Sequence, residues 1–166
     1  MQKIVIDTNV IVSAALSPEG KPAKIIDRIA NSDEIQIYYC AEMMAEYVEV
    51  LSRDYVKLTD EAQHSITDAI KSVGILVSPS GSEISLPDED DRIFYDTAKL
   101  TGAILITGNA RHFPDEPFIM SPADFLTIYG NDKASEMTEE HSKGAAFWQN
   151  PGHRRSQPCA YEKIGR

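Results

Sequence analysis

Apolar residues follow two rhythms along this chain, and the rhythms alternate. Ile4-Val5-Ile6 is a short, unbroken, branched run after Lys3, the pattern of a strand covered on both faces. Val10 to Leu16 predicts a first helix, stopped by Ser17-Pro18-Glu19-Gly20. Pro22, tolerated where a helix starts, opens a second one with Ile25, Ile26 and Ile29 as its apolar face. Ile35 to Tyr39 alternates and is rich in β-branched and aromatic residues, which predicts a second strand. Glu42 to Leu51 reads as a helix with Met43, Tyr47, Val50 and Leu51 at core spacing. Another helix opens at Thr59-Asp60-Glu61 and runs to Val73, where Gly74 is expected to end it. Ile75-Leu76-Val77 is a short strand, and Ser78 to Leu86 is a loop.

Pro87-Asp88-Glu89-Asp90-Asp91 is read as the start of a helix whose apolar face includes Ile93, Phe94, Ala98 and Leu100. Gly102 closes it, and Ala103 to Thr107 is an apolar strand followed by Gly108-Asn109. Phe118-Ile119-Met120 fits a last short strand, and Pro122 starts a closing helix through Phe125, Leu126 and Ile128. Strands alternating with helices predict an α/β fold whose mostly parallel sheet is covered on both faces. From Asn131 the apolar periodicity stops. The expected organisation is therefore one domain over 1–130 and a polar tail over 131–166, disordered or loosely docked. Ala145-Ala146-Phe147-Trp148 is its one apolar patch, and a sharper alternative has it fold onto a partner.

Composition narrows the classes. The chain has 166 residues, enough for one core without disulfides, and 42% of them are hydrophobic. No apolar run approaches the roughly 18 residues of a membrane span. Asp7 interrupts any leader-like stretch, so a cytoplasmic protein is expected. Cys40 and Cys159 are too far apart to suggest a disulfide framework or a zinc site. Net charge is −10, unevenly spread: residues 1–130 hold 10 Lys/Arg against 21 Asp/Glu, and residues 131–166 hold 6 against 5. An acidic body disfavours loose, charge-driven binding to nucleic acid. It suits a basic protein partner, and it does not exclude a nuclease whose carboxylates hold a cation.

Four polar positions fall near one presumed sheet edge. Asp7 ends the first strand, where open α/β sheets bind ligands, although Asp also serves as a helix N-cap. Asp91 lies in the first turn of its helix and Asn109 ends the Ile104–Thr107 strand, so both should approach Asp7. Glu46 joins if its helix leans across the edge. Each has a plainer reading: a solvated helix face for Glu42 and Glu46, the helix dipole for Asp88–Asp91, a turn for Gly108-Asn109, a cap for Thr107. The four histidines show no ligand spacing with one another, and neither a nucleophile motif nor a P-loop is present. Carboxylates gathered in one cleft raise each other's pKa, and Mg²⁺ or Mn²⁺ resolves that conflict through oxygen ligands.

The run Ile4 to Ala14 resembles the start of a PIN domain. So does the order of four later segments: Ala45-Glu46-Tyr47, Asp88 to Arg92, Leu105-Ile106-Thr107-Gly108 and Ser121 to Leu126. Within that family the chain is most similar to toxin components of type II toxin–antitoxin systems, the VapC-like ribonuclease group, over about residues 3–128. The resemblance implies a three-layer α/β/α nuclease fold that cleaves single-stranded RNA with Mg²⁺ or Mn²⁺. By position, Asp7, Glu46 and Asp91 match the first three acids, Thr107 the hydroxyl near the site and Asn9 the polar neighbour of the first acid. The implied reaction is attack by a metal-activated water, leaving 5′-phosphate and 3′-hydroxyl ends.

Asn109 departs from the family's common Asp: it keeps a coordinating oxygen and removes a charge, which makes a one-metal site more plausible. A subset of the family shares Thr-Gly-Asn followed by His-Phe-Pro, here His112-Phe113-Pro114. Asp88 is the preferred auxiliary acid. Asp96 lies roughly 140° round the helix from Asp91 and should point elsewhere. The expectation is a metal-dependent endoribonuclease toxin held inactive by an antitoxin, with Lys21, Arg92 and Arg111 touching RNA. A homodimer is expected by the same resemblance. The main alternative is a PIN module that binds RNA or protein without cutting. A magnesium phosphatase is disfavoured, because Thr8-Asn9 follows Asp7 where such enzymes need a second Asp.

Overall fold

Ile4, Val5 and Ile6 are all buried, and so are Ile104, Leu105 and Ile106. Consecutive side chains of a strand point to opposite faces, so burial of both sets means that helices cover the sheet on both sides. A computed structural model describes residues 1–130 of the chain. The readings made for the tail, including Phe147, Trp148 and Cys159, lie outside the described residues.

The elements are β1 (Gln2–Ile6), α1 (Thr8–Leu16), α2 (Lys21–Asn31), β2 (Ile35–Tyr39), α3 (Ala41–Leu51), α4 (Asp60–Val73) and β3 (Gly74–Leu76). They continue with α5 (Arg92–Thr101), β4 (Ile104–Ile106), β5 (Ile119–Met120) and α6 (Pro122–Tyr129). The sheet runs β3-β2-β1-β4-β5 and every pairing in it is parallel. This is the three-layer α/β architecture that the alternation predicts. The chain builds β1, β2 and β3 in one direction, then crosses back to lay β4 and β5 on the other side of β1. Direction therefore reverses between β1 and β4, and the crevice beyond their C-terminal ends is where such sheets bind ligands.

Several local choices fix the element ends. Asp7 caps α1, its carboxylate accepting from Asn9 N at 3.1 Å. Thr59 caps α4 through Ala62 N, and Ser121 caps α6 with Pro122 inside the first turn. Gly102 closes α5 at φ 62, a left-handed position that suits glycine. Gly74 ends α4 as expected, its N–H donating to Ile70 O, but in extended backbone at φ −88 that leads straight into β3 rather than in a left-handed stop. The predicted helix over Asp88–Asp91 starts later, at Arg92, with Asp91 at the cap position. The Asp88–Asp91 run is a turn, because the acidic side chains bind locally: Asp88 Oδ1 accepts from Asp90 N.

Packing follows from the pattern. α5 lies against β1, β2 and β4, with Phe94 and Tyr95 fully buried, and α1 packs against α2 and α3. Burying a side chain such as Ile4 or Leu105 contributes about 1.5–3 kcal/mol. Leu105→Ala in the middle of β4 would cost about 2–5 kcal/mol, enough to threaten the fold. Between α3 and α4 the connection is anchored by Val56, which is buried, and holds Lys57 at φ 54. That left-handed backbone costs about 1–2 kcal/mol for a residue with a Cβ. Among the described residues no helix is long and apolar enough to cross a membrane.

Candidate active site

Strand register builds the first half of the site. Ile6 pairs with Ile106, and Asp7 N donates to Ile106 O at 3.0 Å, so Asp7 and Thr107 leave the sheet side by side. Thr107 Oγ1 donates to Asp7 Oδ2 at 2.6 Å, and Asn9 Nδ2 donates to the same oxygen at 2.6 Å. Asn9 Oδ1 in turn accepts from Gly108 N at 2.8 Å. A Cβ on Gly108 would lie 3.0 Å from that oxygen, so glycine permits the approach. Asp7 is thus both the cap of α1 and a carboxylate held rigidly at the edge.

Glu46 arrives from α3. The neighbouring Tyr47 is buried and its hydroxyl donates to the Ile6 carbonyl, which ties α3 to the end of β1. That anchor brings Glu46 Oε1 to the Thr8 hydroxyl at 2.6 Å. Asp91 arrives from the start of α5, and His112 from a short 3₁₀ helix, Ala110–His112, beyond β4. His112 Nδ1 lies 2.8 Å from Asp91 Oδ2 and 3.3 Å from Asp88 Oδ2. Asn109 Nδ2 is 3.2 Å from His112 Nε2. With the amide donating to Nε2, the ring proton stands on Nδ1 and faces Asp91. An Asp at position 109 could only accept, and would require a second ring proton on Nε2.

These side chains line one cleft of about 350 Å³. Asp7, Glu46 and Asp91 all have pKa values raised above the ordinary carboxylate range. Burial is the main cause for each; Asp91 adds to it at Asp7, Asp7 and Asp91 at Glu46, and Asp88 at Asp91. Hydrogen bonds from Thr107, Thr8 and His112 oppose the rise without cancelling it. No Lys or Arg lines the cleft among the described residues, so no positive side chain there offsets this charge. The donor set, carboxylate oxygens buried or half-buried and gathered in one cleft, fits a hard divalent cation. Asp88, Asp91 and His112 alone could bring three ligand atoms together, all within 4.8 Å of one another. The imidazole makes manganese or a later transition metal as acceptable there as magnesium.

The structure thus brings together Asp7, Asn9, Glu46, Asp88, Asp91, Thr107 and Asn109. It does not bring in the three basic residues expected to touch RNA. Arg92 is committed elsewhere: it pairs with Glu89 at 2.6 Å and donates to the carbonyls of Ser82 and Ile84 at 2.7 and 2.6 Å. It fastens the loop before α5 and lines no part of the cleft. Lys21 and Arg111 are exposed and line no part of the cleft. Asp96 is buried, accepting from Ser82 N at 3.1 Å, and stands outside the cleft. His112 and Thr8 were not singled out by sequence as site residues. The signal for His112 was its place three residues after Asn109, one turn of a 3₁₀ helix.

The family model described as PIN domain matches residues 3–111. The chain belongs to the PIN domain family. It is also 34% identical over 110 residues to an uncharacterised protein of Methanocaldococcus jannaschii, covering 64% of this chain and 70% of that protein. No solved structure matches it. The PIN domain is a nuclease-type fold, and its site residues can be weighed as such.

Proposed function

We propose that this PIN domain is an endoribonuclease that hydrolyses phosphodiester bonds of single-stranded RNA with Mg²⁺ or Mn²⁺. The observation that carries the reading is the convergence of Asp7, Glu46 and Asp91 from three separate elements into one cleft, where burial first and acidic neighbours second raise the pKa of each. A bound divalent cation would supply charge neutralisation at the phosphate and a water more acidic than bulk. Asp7, Glu46 and Asp91 would hold it, and Asp88 and Asn109 stand beside them. Thr107 and Asn9 fix Asp7 from one side; Thr8 orients Glu46, and His112 orients Asp91. Each carboxylate is therefore placed before substrate arrives, which is what an electrostatic site requires.

The acidic cleft also fits a toxin whose antitoxin inserts a basic side chain there to silence it. Homodimerisation belongs to the same reading.

The decisive experiment is cleavage of single-stranded RNA across a Mg²⁺ and Mn²⁺ titration, comparing the wild type with Asp7→Asn. Cation-dependent cutting that leaves 5′-phosphate ends and vanishes in the variant supports the reading. Absence of cutting in the wild type, or its persistence in the variant, overturns it. A second reading, a PIN module that binds without cutting, is favoured by Asn109, whose amide is directed at His112. RNA binding with no cleavage under any divalent cation would select it.

A further inference from the structure

Tyr55 is 56% exposed and lines the same cleft as Asp7, Glu46 and Asp91. Among the described residues it is the only aromatic side chain among the exposed large hydrophobics. Its exposure is built. Val56, next in the chain, is 2% exposed and plugs the core, and Val56 N donates to Arg53 O at 2.9 Å. Lys57 then turns the backbone into the left-handed region. The three together pin the connection between α3 and α4 while directing Tyr55 outward at the cleft. Arg53, two residues before Tyr55, pairs with Glu49 at 2.9 Å.

We propose that Tyr55 is the base-stacking platform of the substrate site. The inference rests on the ribonuclease reading and names how an acidic domain holds RNA. The cleft offers carboxylates and no Lys or Arg among the described residues, so basic side chains lining it cannot supply the affinity there. An aromatic face attracts any base regardless of sequence, but only an unpaired base can reach it. Tyr55 therefore selects single strands and leaves the sequence largely unread. Affinity through stacking also predicts a shallow dependence on salt.

The test is fluorescence anisotropy of a short labelled single-stranded RNA bound to the full chain, with calcium as the divalent ion. Tyr55→Ala is compared with Tyr55→Phe and Tyr55→Trp, all checked for unchanged melting. Tyr55→Ala should weaken binding by about 5- to 100-fold, while Phe and Trp retain it. In cleavage assays KM should rise with kcat little changed. Wild-type affinity in Tyr55→Ala overturns the proposal, and so does an equal loss in Tyr55→Phe, which would assign the effect to the hydroxyl. The two readings fail separately. RNA that is bound through Tyr55 but never cut sinks the nuclease and leaves the platform. RNA that is cut equally well by Tyr55→Ala sinks the platform and leaves the nuclease. RNA that is neither bound nor cut by the wild type sinks both.

Discussion

Strand β1 has a cavity at each end, and the two are nearly the same size. The one beyond its C-terminal end is about 350 Å³ and the one at its N-terminal end about 290 Å³. Their chemistry is opposite. Gln2, Arg28, Glu34 and Ile35 mix both charges with neutral polar and apolar groups at the N-terminal end. Asp7, Glu46, Asp88 and Asp91 concentrate one charge at the other, and three of those carboxylates are pushed away from their ordinary ionisation. Size does not tell these cavities apart. What does is the cost of burying carboxylates beside one another, which a fold tolerates where function requires it.

The sharpest way to break that comparison is to remove the first acid. Asp7→Asn should lower RNA cleavage by on the order of a thousandfold, measured with a fluorogenic single-stranded substrate, while the isosteric amide keeps a cap on α1. A smaller effect is expected one step out. His112→Ala deprives Asp91 and Asp88 of the imidazole between them, and Mn²⁺ affinity by calorimetry should fall by about 10- to 100-fold. An unchanged affinity would make His112 a surface residue that happens to touch Asp91.

Smaller still is a change in stability, and its sign is opposite to the change in activity. Glu46 binds its proton more tightly in the folded chain than in the unfolded one, because burial and its acidic neighbours disfavour the charge. The penalty is absent below the ordinary glutamate range and complete once pH exceeds the raised value. In chelator, Glu46→Gln should therefore melt about 1–3 °C above the wild type near pH 8, after allowance for solvent screening, and the gap should close toward about pH 4. Saturating Mg²⁺ should narrow it as well. A gap that is independent of pH would show that the carboxylate is not strained. At the N-terminal cavity, Glu34→Gln should leave cleavage within about twofold of the wild type in the same substrate assay, since a surface change far from the chemistry has small effects.

Much of the fold was legible because covered parallel strands have little choice of residue. Ile4-Val5-Ile6 and Ile104-Leu105-Ile106 announce themselves by being apolar on both faces. Asp7 was read both as a possible cap and as the first acid, and it caps α1 while lining the cleft. Asp88 was expected to face Asp91 only if the helix had begun; a turn brings both to His112 instead. His112 itself was hidden because its partners lie 21 and 24 positions back, and no periodicity reports such a contact. The bonds of Arg92 were hidden for a similar reason. An arginine beside an acidic cluster reads as a substrate contact until the loop of residues 78–86, which carries no repeating pattern, closes on it. Tyr55 gave no signal because exposure, not residue type, is what makes it unusual.

The bond between Asp7 and Thr107 spans 100 positions of the chain. A polypeptide emerging from the ribosome makes β1, α1 and α3 long before β4 exists to meet them. Until then Asp7 lacks the hydroxyl that fixes it, and neither Asp91 nor His112 has a strand to bring them to Glu46. Truncated or stalled chains would carry the first two acids and no assembled centre. The return crossover that orders the sheet thus also leaves the cleft incomplete until synthesis of the domain is nearly finished.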